Sequence, residues 1–369
     1  MRISEPLLET VINEFNVDGS FDHGAPYGAG HIHDTYRVVC RGNDGQSPYL
    51  LQKINDRVFP QIPIMMDTIR KVTQILRERV QSCHGDELSR RVLTLVPTRS
   101  GGCFWEDGSG GFWRVYHFIE NAHSLEYTRN CNQIEKAAGA YGRFLGDLAH
   151  VPVTLFQETI PHFHDGSRRY AMLVAAVQQD LCGRSAEARH EIDFIENYRF
   201  MLDQPRILAA RGCVPLRVTH NDTKLNNVLL DDHTGEGLCV IDLDTVMPGL
   251  ALYDFGDMVR TMVSDVREDA PHPHRLHIDM RRFEALTRGF MAGAGDALRS
   301  AEIESLVMGA VYMPLIIGTR FLTDFLTGDQ YFKTTHRRHN LERCRVQFAL
   351  AEQLSAQEKD LHDCIRRMC

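Results

Sequence analysis

Apolar residues alternate with polar ones over the first third of the chain and then settle into a helical repeat. Phe21 to Tyr27, Thr35 to Cys40 and Pro48 to Ile54 read as three β segments, the first two flanking a glycine-rich turn. Ile69, Val72, Leu76 and Val80 recur at helical spacing, which predicts a helix over 64–82 with one face on that sheet. Cys103 to Glu106 and Phe112 to Phe118 then form a hairpin around Asp107-Gly-Ser-Gly-Gly111. From Asn121 the period becomes helical, with Ile134, Ala137, Ala138, Tyr141, Phe144, Leu145 and Leu148 on one face. Further helices are expected over 168–182, 189–204, 253–264, 280–294, 302–327 and 340–367, interrupted by a hairpin that pairs Asn227–Leu230 with Leu238–Ile241. The pattern predicts an α+β chain, with a small mainly-β lobe over 1–118 and a larger mainly-helical lobe over 119–369.

Composition narrows the partners. The 369 residues are 43% hydrophobic, enough for two cores, and the net charge of −8 without a long basic run disfavours nucleic acid. The apolar stretch Leu306–Gly318 falls short of the roughly 18 residues a membrane span needs. With Pro314 and Arg320 in or after it, it reads as a buried helix, so no membrane partner is expected. The first residues mix charge into what would be a signal core, and ten cysteines lie scattered without CxxC pairs. That usage suits reduced thiols in a cytoplasmic location rather than zinc.

Chemistry concentrates in Thr219-His-Asn-Asp-Thr-Lys-Leu-Asn-Asn227 and, after a hairpin, Val240-Ile-Asp-Leu-Asp244. His220, Asp222 and Asn227 have the spacing H-x-D-x4-N, in which an Asp accepts a hydroxyl proton and an Asn ligates magnesium. Asp242, at the end of an apolar strand, supplies a second oxygen ligand. Asp244 is either a further metal ligand or a satisfied hairpin residue. Each piece alone could be a capped turn or a closed strand; the two in order favour phosphoryl transfer. Gly28-Ala-Gly30-His-Ile-His-Asp34 lies where a loop would fold over phosphates, with His31 at its tip. On the strand Tyr49–Ile54 alternation lets either Gln52 or Lys53 face a nucleotide. Trp105 and Trp113 read as packing, His162-Phe-His164-Asp165 as polar surface, and Arg343 and Arg345 as surface or interlobe ion-pair residues. Asp254 and Asp257 are placed to hold the catalytic loop by its amides.

These segments, with Tyr253-Asp-Phe-Gly-Asp257, resemble the aminoglycoside phosphotransferase and choline kinase family, and the resemblance extends over nearly the whole chain. Tyr27-Gly-Ala-Gly-His-Ile32, Trp113-Arg-Val-Tyr-His-Phe-Ile-Glu120, Phe163-His-Asp165, Gly318-Thr-Arg-Phe-Leu322 and Gly328-Asp-Gln-Tyr-Phe332 share it. The resemblance implies a two-lobed protein-kinase-like fold and ATP- and Mg2+-dependent transfer of a phosphoryl group to the anomeric hydroxyl of a free N-acetylated amino sugar; the alternatives are a kinase of the same fold acting on an aminoglycoside, an unacetylated sugar or another small alcohol, and a nucleotide-binding pseudokinase, disfavoured because the base and metal ligands are intact. It makes Asp222 the base, Asn227 and Asp242 metal ligands, and His31, Arg320 and Tyr331 contacts to the monosaccharide. Gly28, Gly30, Lys53, Tyr116 and Phe118 are the cofactor-binding candidates, and a monomer or weak homo-oligomer is expected. The chain departs from the family at His33-Asp34, where Asn and Thr can stand, and at Lys53, where Gln can. A protein kinase is disfavoured, since Asn221 replaces the Arg of H-R-D and only nine residues separate Asp244 from Asp254.

Overall fold

Val38, Cys40, Tyr49, Leu51, Trp113 and Val115 lose essentially all contact with water, and the sheet face they share is the foundation of the N-terminal region. In the computed structural model, which describes residues 4–28, 32–43, 45–84, 87–269 and 276–368, the chain divides into two units. One comprises Met1–Ala122 with Ile241–Thr245, and the other His123–Val240 with Val246–Cys369. The fold is mixed α and β, with the sheet in the N-terminal region and helices dominating the rest.

In the first unit β1 (Ser20–Pro26), β2 (Asp34–Gly42), β3 (Gly45–Ile54), β4 (Leu95–Val96), β5 (Trp105–Glu106) and β6 (Phe112–His117) form one sheet. Its order is β1-β2-β3-β6-β4, with β5 also on β6 and all pairs antiparallel. Leu8, Val11 and Ile12 of α1 (Glu5–Ile12) and the following Phe15 cover the apolar face. α2 (Ile62–His84) runs slightly longer at both ends than its apolar repeat indicated, and α3 (Leu88–Arg91) follows it. Leu95–Val96 is too short to leave an alternating pattern, so this strand has no sequence signature. β7 (Ala122–His123) spans the break between the units.

The second unit is built on α4 (Cys131–Asp147), α5 (Gly166–Gln179), α9 (Ala251–Met262), α10 (Met280–Ala294), α11 (Ser300–Leu326) and α12 (His339–Ala356). The expected helix over 189–204 is instead α6 (Arg189–Asn197), α7 (Arg199–Leu202) and α8 (Gln204–Ala210), the last with Pro205 in its first turn, where no backbone N–H is needed. The expected 340–367 is α12 followed by α13 (Glu358–Arg366). α11 is long and apolar enough to cross a membrane by length and composition, yet it is the core helix of this unit, buried over most of its surface. β8 (Arg217–Thr219) pairs with β11 (Met247–Gly249), and β9 (Val228–Asp231) with β10 (Gly237–Val240), framing the segment 220–227.

Glycine sets two of the helix crossings. A Cβ on Gly142 of α4 would lie 2.3 Å from the Phe290 carbonyl oxygen and 2.8 Å from the Ala294 nitrogen of α10, so the two backbones touch. Gly256 of α9 meets Gly309 of α11 in the same way, at 2.1 Å. A methyl group there must push a helix aside. Gly142→Ala is therefore expected to cost about 1–3 kcal/mol in urea unfolding followed by helical circular dichroism. Gly146→Ala, whose nearest neighbour is 3.2 Å away, should cost clearly less.

Candidate active site

Strand alternation sorts the side chains of the first unit. β3 and β6 are in register with Gln52 opposite Arg114 and Lys53 opposite Trp113. Lys53 therefore shares the face of Tyr49, Leu51 and Trp113, with its ammonium 5.4 Å from the Trp113 ring centroid. Gln52 and Arg114 share the other face, which carries the segment 241–245. This corrects Lys53 as a phosphate-binding candidate: in this register it is Gln52, not Lys53, that stands beside the acidic segment. Asp67 pairs with Arg70 and Lys71 of its own helix, so it is no ion partner for Lys53.

A polar chain crosses that face. Gln52 donates to Thr35 Oγ1 at 3.1 Å and accepts from Arg114 Nε at 2.9 Å. Arg114 grips both oxygens of Asp244, with Nη2 to Oδ2 at 2.8 Å. His33 Nε2 lies 2.8 Å from the same Oδ2, while its Nδ1 accepts from the Asn55 amide at 3.0 Å. Because Nδ1 accepts, Nε2 carries the proton and donates to Asp244. Burial opposes charge on both partners, and their mutual attraction overrides it. Asp244 is held well below the usual carboxylate range and Arg114 above its usual value.

This arrangement bears on the metal assignment. Donor atoms of His33, Asp242 and Asp244 lie within 4.8 Å of one another. His33 Nε2, however, is protonated by the argument above, and both Asp244 oxygens are engaged. Of Asp244's two expected roles, the structure supports the satisfied residue rather than the ligand. Asp242 is half-buried, in the left-handed region at φ 61°. Gly28 also has a left-handed φ, 76°, whereas Gly30 and His31 lie outside the described residues. Tyr116 is buried beside Arg114, at 5.4 Å from its guanidinium, and Phe118 packs edge-on against Tyr27 at 5.1 Å.

In the second unit one carboxylate organises the segment 220–223. Asp254, in the first turn of α9, accepts the His220 amide at 2.9 Å and the Asn221 amide at 2.7 Å, and Thr223 Oγ1 donates to its backbone carbonyl at 2.6 Å. Burial raises its pKa to about 6, countered in part by His220 and those two amides. Asp257 pairs instead with Arg260, at 2.8 Å. His220 is fully buried, its ring edge-on to Tyr141 and Phe144.

Asp222 follows this clamp. Its Oδ2 receives the Lys224 ammonium at 3.0 Å and the Asn227 amide at 3.1 Å. Burial works to raise its pKa, but Lys224 overrides that and the net shift is downward. His164, expected at the surface, is buried and donates from Nε2 to the Asn221 carbonyl at 3.0 Å. Burial lowers its pKa to about 3, so it is neutral. Lys224 and Arg114 were not singled out from the sequence; Lys224's place two residues after Asp222 was the available signal.

Arg320 and Tyr331, matched only by resemblance, come together in the second unit. Arg320 Nη2 lies 3.4 Å from the Tyr331 hydroxyl, and its guanidinium stacks on Phe163 at 4.9 Å. One turn on, Asp324 accepts the backbone amides of Gln330, Tyr331 and Phe332 at 2.8–2.9 Å, which fixes the loop carrying Tyr331. Arg345 pairs with the buried Glu191 and Arg343 donates to the Lys333 carbonyl, both contacts lying within this unit.

The profile of the Phosphotransferase enzyme family, APH, matches residues 23–286, and the chain belongs to that family. It is thus a small-molecule kinase by class, with ATP as the phosphoryl donor of the family. Solved structures of the same fold include an aminoglycoside phosphotransferase from Alicyclobacillus acidocaldarius, with TM-score 0.63 and 12% identity, covering 100% of this chain and 98% of that one. A choline kinase from Cryptosporidium parvum aligns with TM-score 0.61 and 12% identity over 96% of each chain. A microcompartment-associated aminopropanol kinase aligns with TM-score 0.57 and 15% identity over 97% of this chain and 98% of that one.

Both tryptophans lie in the first unit's sheet, so their fluorescence reports on it. Arg114→Leu, which strands a buried Asp244 carboxylate, is expected to cost about 3–5 kcal/mol in urea unfolding read by that signal. Arg114→Leu with Asp244→Leu should recover a large part of the loss; equal losses in the single and double variants would separate Arg114 from Asp244.

Proposed function

We propose that the chain transfers the γ-phosphoryl group of ATP to the anomeric hydroxyl of a free N-acetylhexosamine, giving the sugar 1-phosphate and ADP, with magnesium as the metal. The observation that carries the catalytic part is Asp222, held by Lys224 and Asn227 beside a loop whose amides are clamped by Asp254. Asp222 orients the hydroxyl and takes its proton as the oxygen–phosphorus bond forms and the bond from the γ-phosphorus to the β-phosphate oxygen breaks. Its lowered pKa makes it a modest base, which suits a loose transition state and a comparatively acidic anomeric hydroxyl. Positioning supplies most of the acceleration.

Each of the two proposed ligands has by itself the oxygen chemistry that a hard divalent cation takes. Asn227 commits its amide nitrogen to Asp222, which leaves its carbonyl oxygen for ligation, and Asp242 is a carboxylate. When bound, magnesium neutralises charge on the phosphates. For the sugar, Arg320 and Tyr331 offer donors against an aromatic surface, the combination that hydroxyl groups and ring faces require. The fold neighbours include kinases of amino alcohols and aminoglycosides, whose acceptors are cationic. The guanidinium of Arg320 near that of Arg169 opposes such acceptors and favours an uncharged or anionic one.

The direct test is ADP release over a panel of free monosaccharides and amino alcohols, with magnesium and with EDTA. N-acetylglucosamine or N-acetylgalactosamine should give a product whose phosphorus couples to the anomeric proton by NMR, and their methyl glycosides should not turn over. Coupling to C6 protons, or turnover of a methyl glycoside, would overturn the anomeric assignment. Asp222→Asn should lower kcat about 10²- to 10⁴-fold with ATP binding nearly unchanged. A variant that keeps more than about a tenth of wild-type kcat removes Asp222 as the base.

A further inference from the structure

Between α5, α11 and the loop that carries Tyr331 lies a cavity of about 320 Å³, lined by Arg169, Met172, Arg320, Thr323, Asp324 and Tyr331 among others. Its charges are not balanced by ion pairing. Among the described residues neither Arg169 nor Arg320 forms an ion pair with a carboxylate; their hydrogen-bond partners, the Phe163 carbonyl and the Tyr331 hydroxyl, are neutral. Arg169 donates from Nε and Nη2 to the Phe163 carbonyl at 3.3 and 3.1 Å, and Arg320 stacks on the ring of the same Phe163. The two guanidiniums are thus brought together on one residue.

One carboxylate shares the lining. Asp324 has its oxygens filled by three backbone amides and by Asn340 Nδ2 at 2.9 Å, so it is not positioned as a partner for either arginine. Two cations against one saturated anion leave the cavity positive. Burial, with repulsion from Arg320 next, pushes Arg169 down to about 10. Holding two guanidiniums in a half-enclosed space costs energy that an anion would return, since a guanidinium fork matches the paired oxygens of an oxyanion.

We infer that this cavity is an oxyanion subsite, taking a carboxylate, sulfate or phosphate group carried by the acceptor sugar. Arg169 is then a specificity-determining residue, and Arg320 serves both the sugar and its anionic substituent. The kinase would prefer acidic amino sugars to their neutral parents. The inference deepens the sugar-kinase reading and rests on it for the identity of the acceptor, but the anion-binding chemistry stands by itself.

The full-length chain is compared on N-acetylglucosamine and N-acetylglucosamine 6-sulfate, both of which keep the anomeric hydroxyl. In parallel, binding of sodium sulfate is measured by calorimetry against sodium chloride at matched ionic strength. The sulfated sugar should show at least about tenfold higher kcat/KM. Arg169→Gln should bring the ratio near one and abolish sulfate binding, and Arg169→Lys should restore part of both. Sulfate that competes with the sulfated sugar, but not with ATP, places ion and substituent in the same subsite. Sulfate that binds through Arg169 while the sulfated sugar gains nothing would overturn the acceptor's substituent as the source and leave a free inorganic anion as the ligand. A ratio near one in the wild type with no sulfate binding, or a preference untouched by Arg169→Gln in a folded protein, would overturn the subsite. Arg169-dependent sulfate binding without turnover of either sugar would remove the amino-sugar reading and keep the subsite; turnover of N-acetylglucosamine alone without sulfate binding would do the reverse.

Discussion

A single carboxylate determines whether the segment 220–223 has a shape. Asp254 projects from the first turn of α9, where a helix favours negative charge, and accepts two consecutive backbone amides, those of His220 and Asn221. Asn221 has φ 66°, a left-handed conformation that costs a non-glycine residue about 1–3 kcal/mol unless its surroundings hold it. Asp254 binds its N–H and His164 binds its carbonyl, so the residue before Asp222 is held from both sides. The placement of Asp222 follows from that clamp, because only one peptide lies between it and the fixed residue.

The first unit uses a related device with the charges reversed in origin. There a buried arginine on β6 fixes a short acidic segment by gripping Asp244, and His33 completes the grip through a proton that its own backbone contact assigns. Two buried charges would be a net cost if the geometry were loose. Here both carboxylate oxygens and the guanidinium fork are used, and Gln52 and Thr35 extend the chain of bonds. Asp244 thereby becomes the support of its segment. The pair Arg169 and Arg320 has no such counterion among the described residues, and this contrast is what the inferred anion subsite rests on.

Much of this was legible in the chain because period and spacing are physical signals. The change from alternation to helical repeat located the sheet and most helices, and H-x-D-x4-N followed by an apolar strand ending in Asp242 pointed to the phosphotransferase class to which the chain belongs. Of the two loop-holding candidates, Asp254 and Asp257, Asp254 holds the amides and Asp257 pairs with Arg260. What escaped depended on contacts distant in sequence. Gln52 and Lys53 are adjacent, and only the pairing of β3 with β6 decides which faces Arg114. His164 looked like a polar surface residue, since nothing local announces a partner 57 residues away. The breaks inside 189–204 and 340–367 were missed because no Pro or Gly lies within either range, the caps being Tyr198, Asp203 and Gln357.

The claim that Asp254 holds the catalytic segment is tested most directly by residue-resolved native-state hydrogen exchange of the His220 and Asn221 amides, compared between wild type and Asp254→Asn. Asparagine keeps one acceptor oxygen and loses the charge, so exchange at these two amides should quicken about ten- to a hundredfold, while amides in α4 and α10 keep their protection. Unchanged exchange at His220 and Asn221 in the variant would mean that the segment is held by something other than Asp254, and the account would fail at its first step.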